Sequence, residues 1–188
     1  PNEVRALDQV DLELARGSFT VVLGANGSGK SSLLGVIAGS LGPAGGRVFL
    51  DEQEVTHWPE QRRARLIGRV FQDPFTGTAA DLTVEENLVL AARRGGTRWL
   101  HRALSADRRA TLSEAVARLG MGLEDRLETP IGMLSGGQRQ ALTVLMATLV
   151  RPTLLLLDEH TAALDPRSAE QVIRLTQEVV TSGGLTTL

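Results

Sequence analysis

The chain has 188 residues, 42% of them hydrophobic, and a formal net charge of −2. This length supports one domain with a sizeable core, and the near-balanced charge argues against nucleic acid as the main partner. The absence of cysteine excludes a disulfide framework or a thiolate zinc site, and His57, His101 and His160 are too scattered to suggest a metal cluster.

In chain order, Val10–Leu14 (VDLEL) alternates like a strand. Phe19–Leu23 (FTVVL) is a continuous apolar run that stops at Gly24, the pattern of a buried strand. Ser32–Ala38 reads as a helix, 39–46 as a turn-rich connection, and Arg47–Leu50 and Ile67–Phe71 as short strands. Strand signals then vanish between Gln72 and Gln138. Helical spacing takes over at Val84–Arg94, Ala106–Leu119 and Gln138–Val150. Thr153–Leu157 is the most apolar strand and ends at Asp158. Pro166–Ser182 has helical spacing with Val172, Ile173, Leu175 and Val179 on its inward face. Strands alternating with helices predict an α/β domain with a mostly parallel sheet and an inserted α-helical subdomain. The core is expected at residues 1–76 and 141–188 and the subdomain at 77–140. Arg93, Arg94, Arg98, Arg102, Arg108 and Arg109 give that insertion a basic surface, read as a solvated helical face ahead of a phosphate-binding patch because acidic and apolar residues follow closely.

No stretch approaches the roughly 20 apolar residues of a membrane-spanning helix, and the first 14 residues lack a signal-peptide layout. The expectation is a soluble cytoplasmic chain that reaches a membrane only through a partner.

Residues Gly24–Ser31 (GANGSGKS) fit G-x-x-x-x-G-K-[ST] between an expected strand and an expected helix. Glycines at 24, 27 and 29 let successive backbone N–H groups of Gly24, Ala25, Asn26, Gly27, Ser28 and Gly29 turn toward phosphate oxygens. Lys30, the only lysine in the chain, would reach the β- and γ-phosphates, and the Ser31 hydroxyl would ligate Mg²⁺. The following helix, with Ser32 in its first turn, directs its positive end at the same phosphates. Asp158 and Glu159 end the apolar strand: the first would hold Mg²⁺ through its water shell, the second would orient or deprotonate a water. Acidic strand ends also serve as solvent caps, and the phosphate loop upstream favours the catalytic reading. Gln72 could contact Mg²⁺ or that water through its amide oxygen, or be a surface glutamine beside Asp73 and Pro74. Finally, Leu134–Gln138 (LSGGQ) puts Ser135, Gly136, Gly137 and Gln138 at a helix start suited to a γ-phosphate. The phosphate loop already surrounds much of the nucleotide, so a head-to-tail dimer, each LSGGQ facing the partner's ATP, resolves the geometry.

Together these segments resemble the ATP-binding-cassette ATPases over essentially the whole chain. The likeness rests on GANGSGKS (Walker A), Gln72 (Q-loop), LSGGQ (signature), LLLLDE ending at Glu159 (Walker B with its catalytic glutamate) and Ala163–Asp165 (D-loop). The resemblance implies a P-loop, RecA-like core and an ATP hydrolase that energises import. It further implies a second ATPase subunit, permease subunits, a solute-binding protein, and a place on the cytoplasmic face of the inner membrane. It adds Asp165 to the nucleotide-binding residues. Segments Gly77–Leu88 and Asp158–Pro166 resemble a branch associated with amino-acid uptake. The alternative is a soluble cassette ATPase acting on DNA or the ribosome; the short insertion, the missing cysteines and the single cassette argue against it. Three departures stand out. No aromatic precedes Phe19 to stack on adenine, the family's switch histidine falls beyond Leu188, and His160 replaces a frequent proline. They lead to the expectation that the sequence is truncated at both ends.

Overall fold

The computed structural model describes residues 6–94 and 106–188. Arg98, His101 and Arg102 lie outside the described residues, as does the side chain of Arg108. In order, the chain forms α1 (Lys30–Ala38), β1 (Phe49–Leu50), β2 (Gln53–Glu54), α2 (Glu60–Arg63), β3 (Ile67–Val70), α3 (Val84–Ala92) and α4 (Ala106–Ala117). After them come α5 (Gly136–Thr148), β4 (Leu154–Leu157), α6 (Pro166–Gly183) and β5 (Thr186–Thr187).

Three of the strands make a parallel sheet in the order β3-β4-β5, with Val70 opposite Leu157 and Leu155 opposite Thr187. Phe19 continues the order beyond β5 through a parallel bridge to Thr187. Thr20 N donates to Thr187 O at 2.9 Å and Thr187 N to Ser18 O at 2.8 Å. Because these strands run the same way, the segments leaving Leu23, Val70 and Leu157 emerge at one edge, where open α/β sheets bind ligands.

Strand side chains alternate between faces, and a parallel strand covered on both sides can be apolar throughout. LLLL in β4 does this. Leu155 joins Val70, Val84, Leu88, Leu142 and Val172 in one cluster, on the side of α3, α5 and α6. Leu154 and Leu156 join Leu34, Ala38, Leu50, Val55 and Ile67 on the side of α1. Helix α5 approaches β3 so closely that a Cβ on Gly68 would lie 2.4 Å from the Ala147 carbonyl oxygen, so only glycine fits.

Several sequence expectations need correction. Val10–Leu14 makes no ladder; its alternation has no partner strand among the described residues. Phe19–Leu23 is not buried: Val21 is 64% and Leu23 88% exposed, because pairing ends at the Phe19–Thr187 bridge. The region 47–54 is an antiparallel hairpin, β1 with β2, turning at Asp51 with a positive φ of 52°. On α6, Ile173 is 41% exposed, and Val172, Leu175, Thr176 and Val180 form the buried face. The spacing 172, 175/176, 180 is one helical stripe, and Ile173 falls a step outside it. Nor is the basic face simply solvated. Arg94 donates from Nη1 to Ala147 O at 2.7 Å and from Nη2 to Val150 O, while Arg109 pairs with Glu85 and Glu128.

Candidate functional site

The loop Gly24–Gly29 reaches α1 through two glycines in left-handed backbone, Gly27 (φ 80°) and Gly29 (φ 95°). Such φ values cost residues with a Cβ roughly 1 kcal/mol or more. Close approach adds to this. A Cβ on Gly24 would sit 2.4 Å from Ser28 Oγ, and one on Gly29 would sit 2.5 Å from Ala6 O. Ser28 N donates to Ala25 O at 3.1 Å, which closes the turn. The Lys30 side chain folds back over this loop, its Nζ donating to Gly24 O at 2.9 Å and Ala25 O at 3.2 Å. Ser32 follows in the first turn of α1, whose backbone N–H groups open toward the loop.

Two carboxylates arrive from β4. Asp158 N donates to Val70 O at 3.0 Å, which fixes the strand end beside β3. Asp158 Oδ1 accepts from Ser31 Oγ at 3.3 Å, and Glu159 Oε1 lies 3.5 Å from Lys30 Nζ. Glu159 has a φ of 44°, an uncommon conformation for a residue with a side chain. Strain of this kind costs about 1–3 kcal/mol and clusters at functional sites. The structure thus brings Lys30, Ser31, Asp158 and Glu159 into contact. Gln72 stands two residues beyond Val70 as Glu159 stands two beyond Leu157, so both leave paired strand tips; its side chain is exposed.

Ser31 and Asp158 offer oxygen donors only, the chemistry Mg²⁺ takes while keeping several waters. Among the described residues no group of three His, Cys, Asp or Glu converges on a metal position. A hard ion held by one hydroxyl, one carboxylate and phosphate oxygens fits this donor set.

The LSGGQ segment starts α5. Ser135 is its N-cap in a capping box: Gln138 N donates to Ser135 Oγ at 3.3 Å, and Ser135 N donates to Gln138 Oε1 at 3.2 Å. Gln138 Nε2 donates to Met121 O at 3.2 Å. Gly137 packs on α6, where a Cβ would lie 2.7 Å from that of Ser168, and Gly136 faces Leu164. These contacts run to Met121, to Leu164 just before α6 and to α6 itself rather than to the phosphate loop, and Ser135 and Gly136 remain exposed. Asp165 caps α6, accepting from Ser168 N at 3.0 Å, and this bonding with Ser168 holds its carboxyl below the usual range.

Sequence reasoning missed three arginines that frame the site. Arg63 is 1% exposed and spends its guanidinium on carbonyls of Val36, Ile37, Thr56 and Trp58. That closes the C-terminal end of α1. Arg139 is buried, donates to Ile131, Gly132 and Leu134 carbonyls, and stacks 3.6 Å over the Phe75 ring. It ties the segment before LSGGQ to the loop after Gln72. Arg69 reaches Asp158 Oδ2 at 3.7 Å. His160 is also built in, with Nε2 3.3 Å from Thr176 Oγ1. Arg69, Arg139 and His160 had one sequence signal, a position within three residues of a motif, and Arg63 had none.

The family model described as ABC transporter matches residues 7–162. This chain belongs to the ABC transporter family. It is an ATP-binding cassette, the ATPase subunit of such a transporter. A tyrosine transport ATP-binding protein of Clostridioides difficile is 38% identical across all of this chain, which covers 74% of that protein. A phosphonates import ATP-binding protein of Thiobacillus denitrificans is 35% identical over 99% of the chain and 71% of its own length. Among solved structures, a dimeric bacterial ABC transporter cassette superposes with a TM-score of 0.79 at 28% identity, covering 97% of this chain and 78% of that one. A dimeric post-hydrolysis cassette bound to ADP and Pi gives 0.78 at 28% identity, with the same coverages. The cassette is therefore a P-loop α/β ATPase coupled to transport. Among its described residues, no helix is long and apolar enough to cross a membrane.

Proposed function

We propose that this cassette hydrolyses ATP to drive uptake of an amino acid, tyrosine-like in class, through a separate permease. The observation that carries the ATPase chemistry is the convergence of Lys30, Ser31, Asp158 and Glu159 at one sheet edge. In this reading, backbone N–H groups of residues 24–29 and the first turn of α1, with Ser32, cradle the phosphates. Lys30 exchanges its two loop carbonyls for β- and γ-phosphate oxygens. Ser31 and Asp158, with Gln72, would hold Mg²⁺, which when bound neutralises charge on the phosphates. Glu159 takes a proton from the attacking water, and Gln72 orients that water from the neighbouring strand tip.

Ser135, Gly136, Gly137 and Gln138 then serve a second copy. The exposed N-terminus of α5 faces the partner's γ-phosphate in a head-to-tail dimer, with Asp165 nearby. Support comes from the contacts of LSGGQ, which run away from its own phosphate loop, and from the dimeric cassettes of like fold. The division into an α/β core at 1–76 and 141–188 and a helical subdomain at 77–140 belongs to the same proposal.

The permease would dock where the two parts meet. A cavity of about 390 Å³ lies there, its wall mostly apolar (Phe71, Leu90 and Met146 among others) but also carrying Glu60, Arg69 and Arg94, and it reaches Phe71 beside Gln72. Docking at this place would hold the cassette on the cytoplasmic face of the membrane. The importing relatives support the direction, and the tyrosine transport protein supports the cargo class. The test is uptake of labelled tyrosine into cells carrying the gene with its neighbouring permease and binding-protein genes. Accumulation that disappears with Lys30→Ala is expected; accumulation unaffected by that change, or none at all, overturns the reading.

A further inference from the structure

Asp158 has both carboxylate oxygens engaged. Oδ1 accepts from Ser31 Oγ at 3.3 Å, and Oδ2 lies 3.7 Å from Arg69 Nη2. Arg69 comes from β3, one residue before Val70 and opposite Leu156 on β4. Its guanidinium is held on three sides. Nη1 donates to Ser40 Oγ at 3.3 Å, just past α1, and Ser40 Oγ in turn donates to Gly35 O at 3.3 Å. Cζ sits 4.6 Å from the centre of the Phe71 ring. Nε is buried and makes no hydrogen bond. With the Arg69 side chain only 17% and that of Asp158 15% exposed, solvent screens this pair poorly. A fixed positive charge therefore stands where a divalent ion would approach the second oxygen.

We propose that Arg69 is a positioning residue that occupies Asp158 Oδ2 and thereby weakens divalent-cation binding at that carboxylate. The inference rests on reading Asp158 as an ion ligand. Two consequences follow from the chemistry. A cation that binds Asp158 must compete with a guanidinium already in place, so the ion is held loosely and can leave with product. Second, Arg69 sets the carboxylate plane through Oδ2, leaving Oδ1 toward Ser31.

Mn²⁺ reads this directly. The chain is saturated with a non-hydrolysable ATP analogue, and bound Mn²⁺ is measured from the loss of the free-ion paramagnetic resonance signal, with the analogue alone subtracted. Arg69→Met keeps length and apolar stem while removing charge, and should bind Mn²⁺ about tenfold more tightly. Arg69→Lys keeps the charge but not the stacked fork, so it should bind Mn²⁺ less tightly than Arg69→Met, closer to the parent. Asp158→Asn should weaken binding, and the gain from Arg69→Met should shrink in that background. Analogue affinity in EDTA should not rise in Arg69→Met. Far-UV circular dichroism and the unfolding midpoint check the fold of each variant. Unchanged or weaker Mn²⁺ binding in a folded Arg69→Met overturns the inference about Arg69, as does an equal gain in EDTA. Unchanged binding in Asp158→Asn instead overturns the ligand reading of Asp158.

Discussion

Lys30 Nζ lies 3.5 Å from Glu159 Oε1 while donating to the Gly24 and Ala25 carbonyls of its own loop. One ammonium thus joins the phosphate loop to the end of β4. The arrangement holds the cation in the mouth of the loop, where phosphate oxygens can replace carbonyl and carboxylate partners without moving the backbone.

Lys30→Ala should therefore weaken ATP binding by about tenfold to a hundredfold, the worth of one charge-assisted hydrogen-bonding group. The fold should survive, since Lys30 belongs to neither apolar cluster. Nucleotide titration with circular dichroism on the same sample checks both, and unchanged affinity would remove the phosphate-loop assignment.

Glu159 separates chemistry from strain. Glu159→Gln keeps the size, loses the base, and should slow hydrolysis by about 10²–10⁴-fold while ATP still binds. Light scattering should show dimers accumulating with ATP and Mg²⁺; a monomer under those conditions would contradict the composite-site proposal. Glu159→Gly should also abolish turnover, yet its unfolding midpoint should not fall, because glycine accepts the φ of 44° without the Cβ penalty. A clearly lower midpoint would mean the left-handed backbone stores no strain.

The site was legible where chemistry demands a local string. Glycines at 24, 27 and 29, a lysine and a hydroxyl are required in one order, and capping chemistry marks Ser135 and Gln138 as a helix start. What the string could not show was environment. FTVVL reads as buried, yet the exposure of Leu23 depends on which strand lies alongside, a property of distant residues. Arginine reads as solvated, but Arg63 and Arg139 are buried because carbonyls at helix ends and turns collect around them. The β1–β2 hairpin escaped notice because its turn uses Asp51 with positive φ in place of the glycine that would signal it.

Arg63 carries the next prediction. Its guanidinium serves four carbonyl groups, at 2.6 to 3.2 Å, from within the core. Arg63→Met should destabilise by about 3–5 kcal/mol, since the apolar stem is kept but the buried acceptors lose their donors. Gly39→Ala should also be costly, through a φ of 84° and a Cβ 2.9 Å from Arg63 Nε. Urea unfolding of each variant measures this, and a loss below about 1 kcal/mol for Arg63→Met would show that water replaces the guanidinium.

His160 should give the cassette a pH dependence separable from that of its carboxylates. Thr176 Oγ1 donates its proton to Val172 O at 2.8 Å, so the bond with His160 at 3.3 Å must use Nε2–H as donor. In the neutral ring this selects the Nε2–H tautomer. Burial pushes the His160 pKa below its ordinary 6.5, so on acidification the unfolded chain takes up the proton first. The stabilisation is complete above pH 6.5 and is lost progressively as pH falls from there through the lower folded value. Asp165 does not interfere in this window, because its carboxyl, held below the ordinary 3.8, keeps its stabilising effect until more acidic pH. His160→Gln retains an amide donor without a titrating group. Between pH 7.5 and 5 the unfolding midpoint of the parent should fall more than that of His160→Gln, with the two curves parallel above pH 7. Parallel curves throughout would mean that His160 titrates normally and that the fold admits its charge.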